Sequence, residues 1–122
     1  MGSAQTDRTL KNILKDFTKI DGVTSCIVVG RDGFIIESES TGKVDTEGLG
    51  VMVATAIGTT EVLGQESEIG SLNQYMAEYK SGNIFIASVG DEILCVQTEN
   101  TVVLGSVRHA IRKHIKELEA VL

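Results

Sequence analysis

Two short runs in the second half of the sequence constrain the fold more than any other feature. Residues 84–89 and residues 93–96 are apolar on both faces of a strand, and only residues 90–92 separate them. A turn that short joins antiparallel neighbours of one sheet. Because strands that are apolar on both faces are covered on both faces, the sheet needs helices on each side.

The other strands are also marked by pattern. Residues 23–29 form a third apolar run, and the turn at residues 30–33 predicts a hairpin with residues 34–39. The last residues of that hairpin are polar, which indicates a strand that runs out to solvent. Residues 69–80 form a long segment with many polar side chains, which predicts an edge strand. Five strands are therefore expected.

Apolar residues at helical spacing predict three helices. The first starts at an N-cap on Thr6 and ends at Gly22, the second follows a cap at Asp45, and the third runs from about Val103 to the last residue. The predicted fold class is α/β, with the order α-β-β-α-β-β-β-α. We expect a single domain over residues 6–122, with a five-stranded, mainly antiparallel sheet and helices on both faces in a three-layer sandwich. Residues 1–5 are expected to be a disordered N-terminus or a tag remnant.

Composition excludes several classes of protein. The chain has 122 residues and a mass of 13.1 kDa, the size of one domain. Its net charge of −6 argues against general nucleic-acid binding. The sequence contains neither an apolar run of about 18 residues nor the apolar segment of a signal peptide. Cys26 and Cys95 lie in apolar runs, so we expect two reduced core thiols in a cytoplasmic protein, without membrane insertion.

The second helix is apolar on two sides. A helix with this pattern is buried on both sides, and its own sheet supplies only one cover. Small residues four positions apart let helices approach closely, which favours a contact between subunits over a tight contact within the domain. The expected inner face comprises Leu49, Met52, Val53, Ala56, Ile57 and Leu63, and the expected dimer face comprises Val51, Ala54, Gly58 and Val62.

Basic residues are concentrated in the first and last helices. The segments that include these helices hold eight of the eleven Lys and Arg residues and carry a net charge of +4, so the remainder carries −10. One interpretation is a surface for an acidic partner or an anionic membrane. The other is two solvated helix faces without a partner. The candidate surface comprises Lys11, Lys15, Arg108, Arg112 and Lys116.

No catalytic constellation is recognisable. His109 and His114 are five positions apart on one helix, so they cannot share a metal as an i, i+4 pair does. Gly48 and Gly50 lack the third glycine of a dinucleotide-binding turn, because Val53 stands in its place. We therefore predict no catalytic, metal or cofactor-binding residue and no enzymatic activity.

The order of elements resembles the roadblock family, named for a dynein light chain. The hairpin sequence Gly30-Arg31-Asp32-Gly33-Phe34, the Ala- and Gly-rich helix, and the run Gly82-Asn83-Ile84-Phe85-Ile86 are similar to that family. The resemblance covers nearly the whole chain and is strongest to prokaryotic, MglB-like members. The order and spacing of these motifs make the likeness fairly specific.

The resemblance implies a non-enzymatic regulator or scaffold that binds a small Ras-like GTPase, either as a GTPase-activating or as a localising partner. It also implies a dimer with itself or a paralogue, in which third strands pair and second helices pack antiparallel. Arg31 is not assigned as an arginine finger. The implied dimer strand contains Ser71, Asn73, Tyr75, Ala77 and Tyr79.

Two other classes of function compete with this interpretation. A small-molecule sensor of the PAS or profilin-like type also has a five-stranded sheet, but a PAS domain usually has several short helices where this chain has one long one. An enzyme ranks last, because the sequence offers no catalytic set.

Overall fold

The computed structural model of the chain describes residues 8–42 and 47–122. The predictions for residues 1–5 and for caps at Thr6 and Asp45 lie outside these residues. The described elements follow the predicted order. They are α1 (Leu10–Thr18), β1 (Val23–Gly30), β2 (Ile35–Ser40), α2 (Glu47–Glu66), β3 (Gln74–Tyr79), β4 (Gly82–Val89), β5 (Glu92–Glu99) and α3 (Leu104–Val121).

The strands form one antiparallel sheet in the order β2-β1-β5-β4-β3. The three runs that are apolar on both faces lie at its centre, as β1, β5 and β4. Helices α1 and α3 pack together on one face of the sheet, where Phe17, Phe85 and Leu118 are fully or almost fully buried. Helix α2 covers the other face through Ile57 and neighbouring residues. The predicted fold class is confirmed.

Local signals explain where α1 begins and ends. Its N-cap is Thr9, whose Oγ1 accepts a hydrogen bond from the Asn12 backbone N–H at 3.2 Å, rather than the predicted Thr6. After the helix, Gly22 adopts a φ of 96°, as its predicted place at the helix end requires. A β-carbon there would lie 2.9 Å from Cβ of Val102, so glycine also allows close approach to the connection between β5 and α3.

The predicted third strand is too long. Glu68 and Gly70 have φ values of 56° and 94°, which turn the chain after α2 and prevent an extended strand from starting at residue 69. Ser71 and Asn73, both predicted to lie in the dimer strand, precede β3. The Asn73 carbonyl still accepts a hydrogen bond from the Ser88 backbone N–H at 3.3 Å. Tyr75, Ala77 and Tyr79 do lie in the strand.

The predicted inner face of α2 is partly wrong. Met52 and Leu63 were expected in the core, but both are 65% exposed. The buried positions of α2 are Gly50, Val53 and Ile57. Gly50 lies against the backbone carbonyl of Gly33 in the β1–β2 turn, which leaves no room for a β-carbon. This close approach fixes the rotation of α2 about its own axis. The spacing of apolar residues could not predict it, because glycine has no side chain.

Candidate functional site

The outward face of α2 is apolar. Val51 and Val62 are 56% and 52% exposed, and Met52 and Leu63 lie beside them. Thr55 lies between them and donates its hydroxyl to the Val51 carbonyl at 2.9 Å. Thr59 bonds the Thr55 carbonyl in the same way. Because these hydroxyls are engaged by the backbone, both threonines can present methyl groups to solvent, and the face carries several exposed apolar side chains without a charge between them.

Two residues of the predicted dimer face lie on its flank. Ala54 is partly buried and packs against the core cluster beneath α2, and Gly58 is also partly buried. No described heavy atom lies within 4 Å of a β-carbon built on Gly58. The outward surface of α2 therefore includes Met52, Thr55 and Leu63, which pattern reasoning left out or placed inside. Their angular position could be found only once the rotation of the helix was known.

The two edge strands of the sheet differ in charge. At the β2 edge, Glu37 and Glu39 face α1, and Lys11 pairs with them at 3.7 Å and 3.2 Å. Inward-facing charges of this kind discourage strand addition. The first four residues of β3 are uncharged, and the charges nearest them are Glu78 at the end of the strand and Lys80 after it. The β3 edge is therefore the better candidate for pairing with another strand.

The candidate basic surface separates into engaged and unengaged residues. Lys11 is held by the β2 glutamates, and the hydrogen bond with Glu39 raises its pKa. Lys15, Arg108, Arg112 and Lys116 are exposed, and none of them forms an ion pair with a carboxylate in the described residues. Lys113 has the same properties and belongs with them, although the candidate set omitted it.

Carboxylates of α1 and α3 face the contact between the two helices. Arg8 donates to Asp16 Oδ2 at 2.5 Å and to Glu117 Oε2 at 3.1 Å. His114, which is buried against Phe17, donates Nδ1–H to Glu117 at 2.6 Å. His109 is exposed on the other side of α3. The two histidines thus lie apart. His114 packs against Phe17 across the α1–α3 contact, whereas its hydrogen bond to Glu117 lies within α3.

Arg31 has a structural role in the described chain. Its guanidinium donates to both carboxylate oxygens of Glu61 on α2, and one nitrogen also lies 3.4 Å from the Ser88 hydroxyl. The ion pair raises the pKa of Arg31. The side chain ties the β1–β2 turn to α2 and to the end of β4.

The described residues show two further absences. Residues 8–42 and 47–122 hold no group of three or more His, Cys, Asp or Glu side chains that could bind a metal ion. Within the same ranges, none of the helices combines the length and apolarity that crossing a bilayer requires.

Solved structures share this fold. MglB of Myxococcus xanthus has a TM-score of 0.86 at 21% identity, covering 99% of this chain and 92% of that chain. An MglB with a tetrameric arrangement has a TM-score of 0.85 at 15% identity, with coverages of 99% and 92%. A Roadblock/LC7 domain from Streptomyces avermitilis has a TM-score of 0.82 at 13% identity, with coverages of 91% and 95%.

Sequence comparison agrees with the fold. Three proteins of Methanocaldococcus jannaschii, each described as uncharacterized, are 32% identical over 111 residues. These matches cover 91% of this chain and 97%, 97% and 94% of the three relatives. The model of the Roadblock/LC7 domain matches residues 9–98. The chain therefore belongs to the Roadblock/LC7 family.

Proposed function

We propose that the chain is a non-enzymatic, cytoplasmic, dimeric regulator or scaffold that binds a small Ras-like GTPase. Membership of the roadblock family supports a regulatory role within a GTPase system. The observation that carries the dimer is the uncharged, exposed face of α2 around Thr55. The GTPase part rests on the family resemblance, and the partner is either activated or localised by the dimer.

One dimer geometry uses both candidate surfaces at once. Antiparallel pairing of two β3 strands is produced by a two-fold axis perpendicular to the sheet. That axis keeps both α2 helices on the same side of a ten-stranded sheet, where their apolar faces can meet. The contact would include Val51, Thr55 and Val62 on α2, and Tyr75 and Ala77 on β3. The same surfaces would serve a dimer with a paralogue.

Thr55→Arg tests the dimer. The side chain points away from the core, so an arginine there leaves the fold intact but places an unpaired charge in the contact. We expect light scattering to give twice the chain mass for the wild type and the single-chain mass for this variant. Asn12→Arg, on the exposed surface of α1, is the matched control and keeps the dimer mass. A Thr55→Arg protein that remains dimeric would contradict the helix contact.

Binding to a GTPase is tested next. The small Ras-like GTPases of the organism that makes this chain are loaded with GDP or with a non-hydrolysable GTP analogue and measured against the wild-type dimer. We expect one of them to bind with an affinity that depends on the nucleotide. A changed GTP hydrolysis rate would identify an activating role, and an unchanged rate a scaffold. If a verified dimer binds none of them in either state, the GTPase proposal fails.

A further inference from the structure

Five exposed Lys and Arg residues of α1 and α3 form no ion pair in the described residues. The basic face is defined here as Lys15, Arg108, Arg112, Lys113 and Lys116, all of them exposed. Elsewhere in the described chain, Arg8, Lys11, Lys19 and Arg31 each pair with carboxylates, and Lys80 does not. Acidic residues outnumber basic ones by 17 to 11, yet five of the six described cations without an ion pair lie on α1 and α3.

The acids of these helices do not neutralise the basic face. Asp16 and Glu117 are turned into the α1–α3 contact, where Arg8 and His114 engage them. On the outward side of α3, Glu119 is the one carboxylate among the described residues. The basic face therefore has a positive field, whereas the remainder of the molecule is acidic.

The proposed dimer would enlarge this face. Helices α1 and α3 lie on the same side of the sheet. A two-fold axis perpendicular to the sheet would place both copies of the basic face on one side of the dimer, opposite the α2 pair. Helix α3 alone, with 18 residues, is about 27 Å long. Two such faces form a broad, positively charged layer.

We propose that the basic face docks the dimer on an anionic lipid surface, so that the bound GTPase is held at a membrane. A bilayer is the partner because its charge is spread over a plane, which matches two copies of a long basic helix facing one direction. The acidic remainder would be repelled by the same surface, which selects a single orientation. The area of the membrane contact rests on the proposed dimer, whereas the positive charge of the basic face is a property of each single chain.

The electrostatic origin predicts the strength of binding. Each Lys or Arg near an anionic surface contributes a similar free energy, so the loss of one weakens binding about fivefold. Binding is reversible and falls with added salt, because the attraction is screened within a Debye length. No insertion of the chain into the bilayer is involved.

Vesicle sedimentation tests this proposal. The probes are vesicles of phosphatidylcholine alone and vesicles that also contain phosphatidylserine. We expect the wild type to bind only the second kind. Arg112→Gln/Lys116→Gln should bind it about 25-fold more weakly as a single chain and about 600-fold more weakly as the proposed dimer, which loses four cations. Gln65→Glu/Ser67→Glu changes the net charge equally at the exposed end of α2, on the other face of the sheet from α1 and α3, and we expect it to bind as the wild type does. Light scattering confirms the mass of each variant.

The outcomes separate the two proposals. A monomeric wild type that still binds anionic vesicles in an Arg112- and Lys116-dependent way would remove the dimer and keep the basic face as a lipid-binding surface. A verified dimer that ignores anionic vesicles would overturn the membrane proposal and leave the dimer standing. Equal weakening by both double variants would also overturn it, as would an acidic GTPase that binds through the basic face while vesicles do not.

Discussion

Burial controls the chemistry of the two cysteines. Cys26 faces α1 and α3, and Cys95 faces α2, on opposite sides of the sheet. Desolvation by burial raises the pKa of Cys95 from 9.0 to about 12 and raises the pKa of Cys26 well above its ordinary value. Both thiols therefore stay protonated near neutral pH, in agreement with the sequence-based expectation that they are core residues.

The Cys95 thiol makes stability depend on alkaline pH. The unfolded chain releases this proton above pH 9.0, whereas the folded chain keeps it up to about 12. Stability is therefore fully present below pH 9.0 and is lost as the pH rises through that window. When the pH is raised from about 8 to about 10.5, the unfolding free energy of the wild type should fall by about 2 kcal/mol more than that of Cys95→Ala. Urea unfolding at both values measures this, and equal losses would contradict it.

Replacement by alanine should change the unfolding free energy differently at Gly22 and at Gly105. Gly22 has a positive φ, and a β-carbon there meets Val102, so Gly22→Ala should cost at least about 1–2 kcal/mol of unfolding free energy. Gly105 lies in the first turn of α3, with nothing described within 4 Å of its β-carbon position. Gly105→Ala should be neutral or stabilise by up to about 1 kcal/mol. Thermal unfolding of both variants decides, and a loss at Gly105 as large as that at Gly22 would refute the argument.

At the scale of elements, periodicity predicted types better than boundaries. The central strands were readable because they are apolar on both faces, and α3 because its stripe is continuous. The start of β3 was misjudged because residues 69–73 mix apolar and polar side chains, as the strand that follows them does. The left-handed backbone at Glu68 and Gly70 turns the chain between α2 and β3. The glutamate at position 68 gives no sign of that conformation in the sequence.

Helix α2 offers a test of its two faces. Ile57 is fully buried, whereas Leu63, six residues later, is 65% exposed. Ile57→Ala should lower the unfolding free energy by about 2–5 kcal/mol at any protein concentration, because it leaves a cavity. Leu63→Ala should leave the stability of the single chain within about 0.5 kcal/mol and act, if at all, through the dimer. Denaturant unfolding at low and high protein concentration separates the effects. A concentration-independent loss at Leu63 would place that residue in the core.

At the scale of the whole molecule, the sequence carries charge and composition but not orientation. The concentration of basic residues in two helices was visible in advance, and so was the uncharged character of α2. Which cations remain unengaged was not, because Lys11 pairs with Glu37 and Glu39 only after α1 packs beside β2. Thr55 was likewise invisible as the centre of an outward face, since a close approach at Gly50 sets the rotation of the helix.

The two proposed surfaces differ in physical origin, so salt should act on them in opposite ways. The α2 face around Val51, Thr55 and Val62 is apolar, and burial of apolar area is not screened by ions. The basic face acts through charge, and the Debye length falls from about 10 Å at 0.1 M salt to about 3 Å at 1 M. Across that range, sedimentation equilibrium should show a dimer whose dissociation constant is unchanged or lower, while vesicle binding is lost. A dimer that dissociates in high salt would show that charges, rather than the outward face of α2, hold the two chains together.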